Sequence, residues 1–308
     1  MASLQNAMRP PALARQPSSL WHEIWRHRLE YLFISPFFIQ FAIFSLYPLV
    51  WAFVLSFQRW SGFGEARWVG LDNYRAMIQE DIFTKALVNT LVFTAILIPT
   101  GILLALFFAV LLNINDLRGR GVYRTVYFLP YITSSIIVGI VFKMLLDDTF
   151  GWANGLLKLI DIAPISWLRT AIWAKISIIL LCHWQGMGVN ILIMLGGLQA
   201  IQREIYEAAE IDGASAWQKF WRVTLPLLRP VVLFVTIIGT IGVLNMFNQP
   251  FILTNGGPEN ATTTLTFRLY EVAFRTTRFG DAAALGFIIG VIVLVVSMIQ
   301  LYVGRERE

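Results

Sequence analysis

Six apolar blocks, each long enough to cross a bilayer as a helix, constrain this chain more than any other feature. They run from Tyr31 to Phe57, Val88 to Leu112, Tyr123 to Leu146, Ile172 to Leu198, Pro230 to Leu253, and Ala282 to Val303. A hydrocarbon core of ~30 Å needs roughly 20 helical residues. It offers the backbone no water to bond, so only a segment whose hydrogen bonds are satisfied internally can occupy it. Of the 308 residues, 57% are hydrophobic and only 14% charged, more apolar surface than one water-soluble core can bury. The fold class expected is an all-α polytopic membrane protein, with a cytoplasmic N-terminal tail over residues 1–30 and a six-span transmembrane domain over residues 31–303.

The formal net charge of +5 would suit nucleic acid only if the basic residues formed a stripe. They are scattered between the apolar blocks, so a lipid bilayer rather than nucleic acid is the expected surroundings. One cysteine, Cys182, allows no internal disulfide, and His22, His27 and His183 offer no zinc-ligand spacing. The tail contains Pro10, Pro11 and Pro17 and ends in the mixed-charge stretch Trp21 to Glu30. The block after it is too long for the core of a cleaved signal peptide. Arg118, Arg120 and Arg124 crowd the short turn Asp116 to Arg124. Positive charge marks the cytoplasmic side of short loops, which puts both termini in the cytoplasm. The outer segments are then Gln58 to Leu87, Asp147 to Ala171 and Thr254 to Asp281, with Trp60, Trp68, Trp152 and Trp167 placed for the headgroup region.

The inner loop over residues 202–229 is the most organised polar stretch. Glu204, Glu207 and Glu210 recur at steps of three beside Ala208, Ala209 and Ile211, a helical pattern. Gly213 fits a helix stop, and Ser215 with Gln218 has the form of a capping box opening a second short helix toward Val223. Pro226 and Pro230 fall at the turn into the fifth span, where a missing donor costs little. The result is a helix, turn, helix elbow. By themselves, three glutamates on one helix more often make a solvated face than a docking site.

Glu207-Ala208-Ala209, then Gly213, then Val223-Thr224-Leu225-Pro226 resembles the EAA loop of binding-protein-dependent ABC transporter permeases, with valine where that pattern has isoleucine. The resemblance implies the type I ABC importer permease (MetI-like) fold. It also implies that Glu207, Ala208, Ala209, Asp212, Gly213, Leu225 and Pro226 couple to a dimeric cytoplasmic ABC ATPase, which carries the ATP and Mg, no cofactor being bound by this chain. Further stretches are similar to the MalF/UgpA-type carbohydrate importer subunit. They are Ser35-Pro36, Tyr47-Pro48, Val69-Gly70-Leu71-Asp72-Asn73-Tyr74, Tyr127-Phe128-Leu129-Pro130 and Thr254-Asn255-Gly256-Gly257-Pro258. That likeness implies a second homologous permease, an extracytoplasmic solute-binding protein and a small-molecule sugar as partners.

Polar groups in mid-span face a cavity or another helix. His183, Trp184, Gln185 and Asn190 in the fourth block and Asn245, Asn248 and Gln249 around Phe247 in the fifth mix aromatic faces with amides, as sugar recognition requires. The resemblance assigns a substrate pathway to Trp184, Gln185, Gly186, Gly239, Asn245, Phe247 and Asn248. Val243 and Met246 stand where the maltose subunit has asparagines, which argues against maltose itself. No nucleophile with a placed base, no carboxylate pair and no phosphate loop is evident, so neither a catalytic residue nor a metal site is expected. The alternatives are an ABC importer permease for a non-sugar solute such as glycerol 3-phosphate, a polytopic membrane enzyme acting on lipid-linked substrates, and an ion-coupled transporter. The last calls for buried acids and repeated halves, neither of which the sequence has.

Overall fold

A computed structural model describes Trp25, residues 27–114 and residues 119–305 of the chain. The chain divides into two compact units, residues 1–54 and residues 55–308. Most of the expected cytoplasmic tail, and Asp116 to Arg118 of the basic turn, lie outside the described residues. Helix α1 runs over Arg28–Leu55, all but its last residue in the first unit, with a π-helical turn at Ala42–Leu46. Its side chains are exposed nearly throughout, and Phe33, Phe37, Phe44 and Val50 are among the apolar ones that stand out. A helix apolar on every side belongs in lipid.

The second unit opens with a two-stranded antiparallel hairpin, β1 (Gln58–Arg59) and β2 (Arg67–Trp68), Gln58 facing Trp68. The helices after it are α2 (Asp72–Gln79), α3 (Asp81–Leu112), α4 (Arg120–Ile132), α5 (Ser135–Leu145), α6 (Trp152–Leu159) and α7 (Ala171–Ala200). Then come α8 (Arg203–Ile211), α9 (Ala216–Lys219), α10 (Leu225–Leu244), α11 (Asn248–Leu253), α12 (Leu265–Tyr270) and α13 (Phe279–Arg305). Among the described residues, five helices, α1 and the α9–α10 run among them, are long and apolar enough to cross a membrane, and the bent pair α4–α5 makes a sixth crossing if it counts as one span.

The long helices α3 and α7 form the spine, with α4 and α10 laid against them and α13 against α10. Small residues permit the close approaches: a Cβ on Gly188 of α7 would stand 2.1 Å from the Tyr127 carbonyl oxygen of α4. Three buried clusters hold the unit together. Ala105, Ala109, Ile191, Met194, Leu195 and Leu228 seal the end near the elbow. Phe93, Leu97, Val138, Ile178, Leu181 and Leu253 close the middle, and Met77, Phe83, Leu265, Val272 and Leu285 the end bearing the hairpin. Long-range bonds from asparagines fix the loops at the hairpin end. Asn73 Nδ2 donates to the Ser56 and Gln58 carbonyls at 2.9 and 2.8 Å, and Asn89 Nδ2 to those of Asn260 and Thr263 at 2.9 and 3.0 Å.

Two of the expected spans are not continuous helices. The block Tyr123 to Leu146 is broken between α4 and α5, whose axes turn by 96°. Pro130 brings no donor to the last turn of α4, and Thr133 is extended at ψ 140°. The block Pro230 to Leu253 ends as a helix at Leu244. Asn245 to Phe247 interrupt it before the separate turn α11. At its start that same helix extends backward. α9 continues through a π-helical turn, Phe220–Thr224, into α10, so Ala216–Leu244 is one run with Pro226 and Pro230 inside it. The wide turn lies where Pro226 has no N–H to add to the ladder.

A charge clamp ties the hairpin end. Arg268 reaches Glu80 at 2.8 Å and Glu271 at 3.4 Å, while Arg278 reaches Glu80 at 3.0 Å and Asp281 at 2.6 Å. Burial alone would raise the Glu80 carboxyl, but the two guanidiniums beside it hold it below the usual value. A depressed carboxyl stabilises fully above the ordinary carboxylate range, and that contribution is lost as pH falls through the lowered value.

Glu80→Gln should therefore cost roughly 2–3 kcal/mol at neutral pH, somewhat less than the loss of a fully buried pair. Its thermal unfolding midpoint in detergent should fall less on acidification than that of the wild type; equal falls would detach Glu80 from the clamp. Gly188→Ala should lower the midpoint by overpacking worth about 1–3 kcal/mol, because α4 must retreat from α7. An unchanged midpoint would mean that the two helices do not approach as closely as described.

Candidate functional site

Two features are candidates for function, a cavity midway along the bundle and the elbow at one end. On both α3 and α7 the cavity residues lie between those of the middle and elbow-end clusters, so packing above and below leaves the space open. Its volume is about 320 Å³, at the lower end of the ~300–1,000 Å³ typical of small-molecule sites. α3 contributes Leu97, Ile98 and Gly101; the break between α4 and α5 contributes Tyr131 and Ser135; α7 contributes Cys182, His183, Gln185, Gly186, Met187 and Asn190. The wall is completed by Gly239, Gly242 and Val243 of α10, Met246 in the interruption, and Gln249 of α11.

Polar groups around this space are partly engaged with one another. Gln185 is buried, and its Nε2 donates to Ser135 Oγ at 2.9 Å and to the Thr133 carbonyl at 3.5 Å, which pins the broken helix to α7. His183 Nε2 and Thr100 Oγ1 are 2.9 Å apart. Asn190, Gln249 and the Tyr131 ring also line the space. Of the residues the sequence points to, His183, Gln185, Gly186, Asn190, Gly239 and Gln249 come together in this wall.

Trp184, Asn245, Phe247 and Asn248 do not line the cavity. Trp184 packs on Phe142 with ring centroids 5.4 Å apart. Asn245 Nδ2 donates back to the Ile241 carbonyl at 2.8 Å, closing the end of α10. Phe247 stacks on Phe251 and Phe267 and against Tyr270, and Asn248 is exposed at the start of α11. Tyr131, Ser135 and Gly101 are among the wall residues that sequence reasoning missed; Pro130 and the run Thr133-Ser134-Ser135 were the signal that the third block turns there.

The elbow forms as its residues dictate. α8 stops at Asp212, and Gly213 comes next in the left-handed region at φ +76°, where glycine alone carries no Cβ penalty. The Ala214 amide returns to the Ala209 carbonyl at 2.9 Å. Ser215 and Gln218 make the reciprocal capping box that opens α9. Lys219 bridges back to Glu210 across the turn. Its hydrogen bond and charge pull the Glu210 carboxyl below the usual value. Tyr206 Oη bonds Thr224 Oγ1 at 3.0 Å, so the two arms of the elbow are tied at both ends.

Glu207 pairs within its own helix, with Arg203 at 2.9 Å. Glu207, Ala208, Asp212, Gly213 and Pro226 are exposed, and Ala209 and Leu225 half-buried. Ile211 at the bend is 87% exposed and Trp217 just beyond it 71%, so the elbow presents apolar as well as acidic surface.

Residues 98–307 match the family described as binding-protein-dependent transport system inner membrane component. The arabinooligosaccharides transport system permease protein AraP of Bacillus subtilis (strain 168) is 37% identical over 299 residues, 94% of this chain and 93% of its own. The lactose transport system permease protein LacF of Rhizobium radiobacter is 38% identical, covering 90% of this chain and 94% of its own. Among solved structures, a chain of a bacterial ABC transporter involved in the import of the acidic polysaccharide alginate superposes with a TM-score of 0.82 at 26% identity. The match covers 93% of this chain and 98% of that one. The chain belongs to the family of binding-protein-dependent transport system inner membrane components.

Proposed function

We propose that this chain is one of two permease subunits of an ATP-driven importer for a sugar or sugar-like solute, and that its elbow is the joint through which a cytoplasmic ATPase drives it. The observation that carries this reading is the single helical run Ala216–Leu244. Its first turn belongs to the elbow, and its last turns carry Gly239, Gly242 and Val243 of the cavity wall. A force applied at the elbow is thereby delivered to the cavity by one rigid element. The two arms of the elbow, tied by the Glu210–Lys219 pair and the Tyr206–Thr224 bond, move as a unit rather than folding on themselves.

The coupling surface in this reading is Glu207, Ala208, Ala209, Asp212, Gly213, Leu225 and Pro226, with Glu207 exchanging Arg203 for a basic group of the ATPase. Ile211 adds an apolar contact. The ATPase dimer binds the ATP and Mg and performs the hydrolysis; this chain supplies passage and transmission. The elbow then faces the cytoplasm, as do both termini, and the hairpin end faces an extracytoplasmic binding protein. The sugar class rests on the relatives, whose names specify arabinooligosaccharides, lactose and trehalose/maltose transport. It rests also on a cavity that combines an aromatic ring with amides.

The test is Gly213→Trp against Gly213→Ala in the reconstituted complex, reading solute uptake and solute-stimulated ATP hydrolysis together. A Cβ on Gly213 meets open space, so both variants carry the same left-handed strain and differ only in bulk. The tryptophan should cut coupled uptake roughly tenfold or more, equivalent to about 1.4 kcal/mol or more of lost docking, and the alanine far less. Full uptake with tryptophan at the bend would end the coupling assignment.

A further inference from the structure

We propose that the cavity selects an uncharged saccharide over an anionic one, and that Tyr131 and Gln249, the side chains set beside the two helix breaks, determine that preference. The inference rests on the sugar reading above and narrows it. Among the described residues that line the cavity there is no aspartate, glutamate, lysine or arginine. Its polar groups are a phenol, a hydroxyl, an imidazole held by Thr100, and the amides of Gln185, Asn190 and Gln249. Leu97, Ile98, Met187, Val243 and Met246 make the remainder apolar.

A carboxylate or phosphate ester entering such a space gives up its water without meeting a cation, and an unpaired anion in a low-dielectric site is costly. A neutral sugar loses only hydroxyl hydration, which amides replace bond for bond, while its C–H faces lie on an aromatic ring. The clamped cations do not alter this balance. Arg268 and Arg278 are bound to Glu80, Glu271 and Asp281, and Arg169 to Asp148. These three guanidiniums are thus already paired with carboxylates.

The two breaks explain why these residues, rather than the asparagines of the fifth block, face the solute. The 96° turn after Ile132 brings the end of α4 to the cavity, so that Tyr131 presents its ring there, and Gln185 uses its amide to hold the turn. The interruption Asn245 to Phe247 re-aims the chain so that Gln249, not Asn245, lines the wall. Gln185 is accordingly a positioning residue, and the Gln249 amide is available to hydroxyls.

The experiment uses the complete complex of both permeases and the ATPase, purified in detergent without binding protein, so that the binding protein's own selectivity does not enter. The shift in thermal midpoint is titrated with neutral oligosaccharides (arabinotriose, lactose, maltotriose) and with oligouronates of matching length. Neutral sugars should shift the midpoint and oligouronates should not. Gln249→Leu and Tyr131→Ala should each raise the concentration needed about tenfold, the scale of one well-made contact, whereas Asn245→Ala should leave it unchanged. Gln249→Lys should acquire a response to oligouronates, a gain that misfolding cannot mimic. An oligouronate response in the wild type, including one due to a cation of the second permease, overturns the inference, as does an undiminished neutral response in both Gln249→Leu and Tyr131→Ala. If neither class shifts the midpoint, and amino acids or glycerol 3-phosphate do, it is the sugar reading that falls and the inference with it.

Discussion

The rule that every backbone amide and carbonyl in lipid must find its partner inside the protein governs the rest of this structure. It makes α3, α7 and α13 long and uninterrupted, and it requires irregular backbone to find its partners locally. The breaks after Ile132 and Leu244 obey it by local means. Thr133 hands both its amide and its hydroxyl to the Leu129 carbonyl, at 3.3 and 2.9 Å, and Asn245 caps Ile241 through amide and side chain alike. Thr264 Oγ1 takes up the Met246 carbonyl at 2.6 Å. Each interruption is thus closed by hydroxyl or amide side chains, and each leaves its neighbouring residues facing the cavity.

The same constraint explains how one element serves both ends of the molecule. A helix that stopped at the prolines of the elbow would be hinged to its span and would dissipate a push. The π-helical turn at Phe220–Thr224 instead carries the helical run past Pro226, which adds no N–H of its own to the ladder. In the coupling proposed above, transmission is a property of that continuity, and the elbow residues act through the stiffness of what stands behind them.

Much of this was legible in the sequence where the signal is local. The apolar blocks are long enough that hydropathy alone finds them, and the elbow is written in short-range chemistry: glycine where φ must be positive, serine and glutamine at capping-box spacing. The breaks were less visible, because an average over twenty residues absorbs a turn of three. The third block looked continuous although Pro130 and the Thr133-Ser134-Ser135 run sat inside it. The cavity was the least legible part. Adjacent positions on a helix differ by about 100° in direction, so Trp184 and Gln185 cannot be told apart without knowing how α7 is rotated. Tyr131 and Gly101 enter the wall from other helices altogether. Composition marked the right two blocks, and tertiary placement chose the residues.

That placement also shows why glycine recurs around the cavity. Gly101, Gly186, Gly239 and Gly242 all line it, and Gly186 and Gly242 differ in kind from Gly188 and Gly197. At these last two a Cβ would strike the backbone of α4 or the Leu228 and Val231 side chains of α10. Those two let helices touch. At Gly186 and Gly242, by contrast, an added Cβ meets nothing within reach, so glycine there is not required by packing and its effect is to leave volume. A bundle whose helices are clamped on either side by tightly filled clusters, yet lined between them in part by glycines, has its empty space where its packing is most able to hold it open. The cavity is therefore a built feature of the fold rather than a packing defect, since a defect of that size among apolar clusters would be filled by larger side chains at little cost.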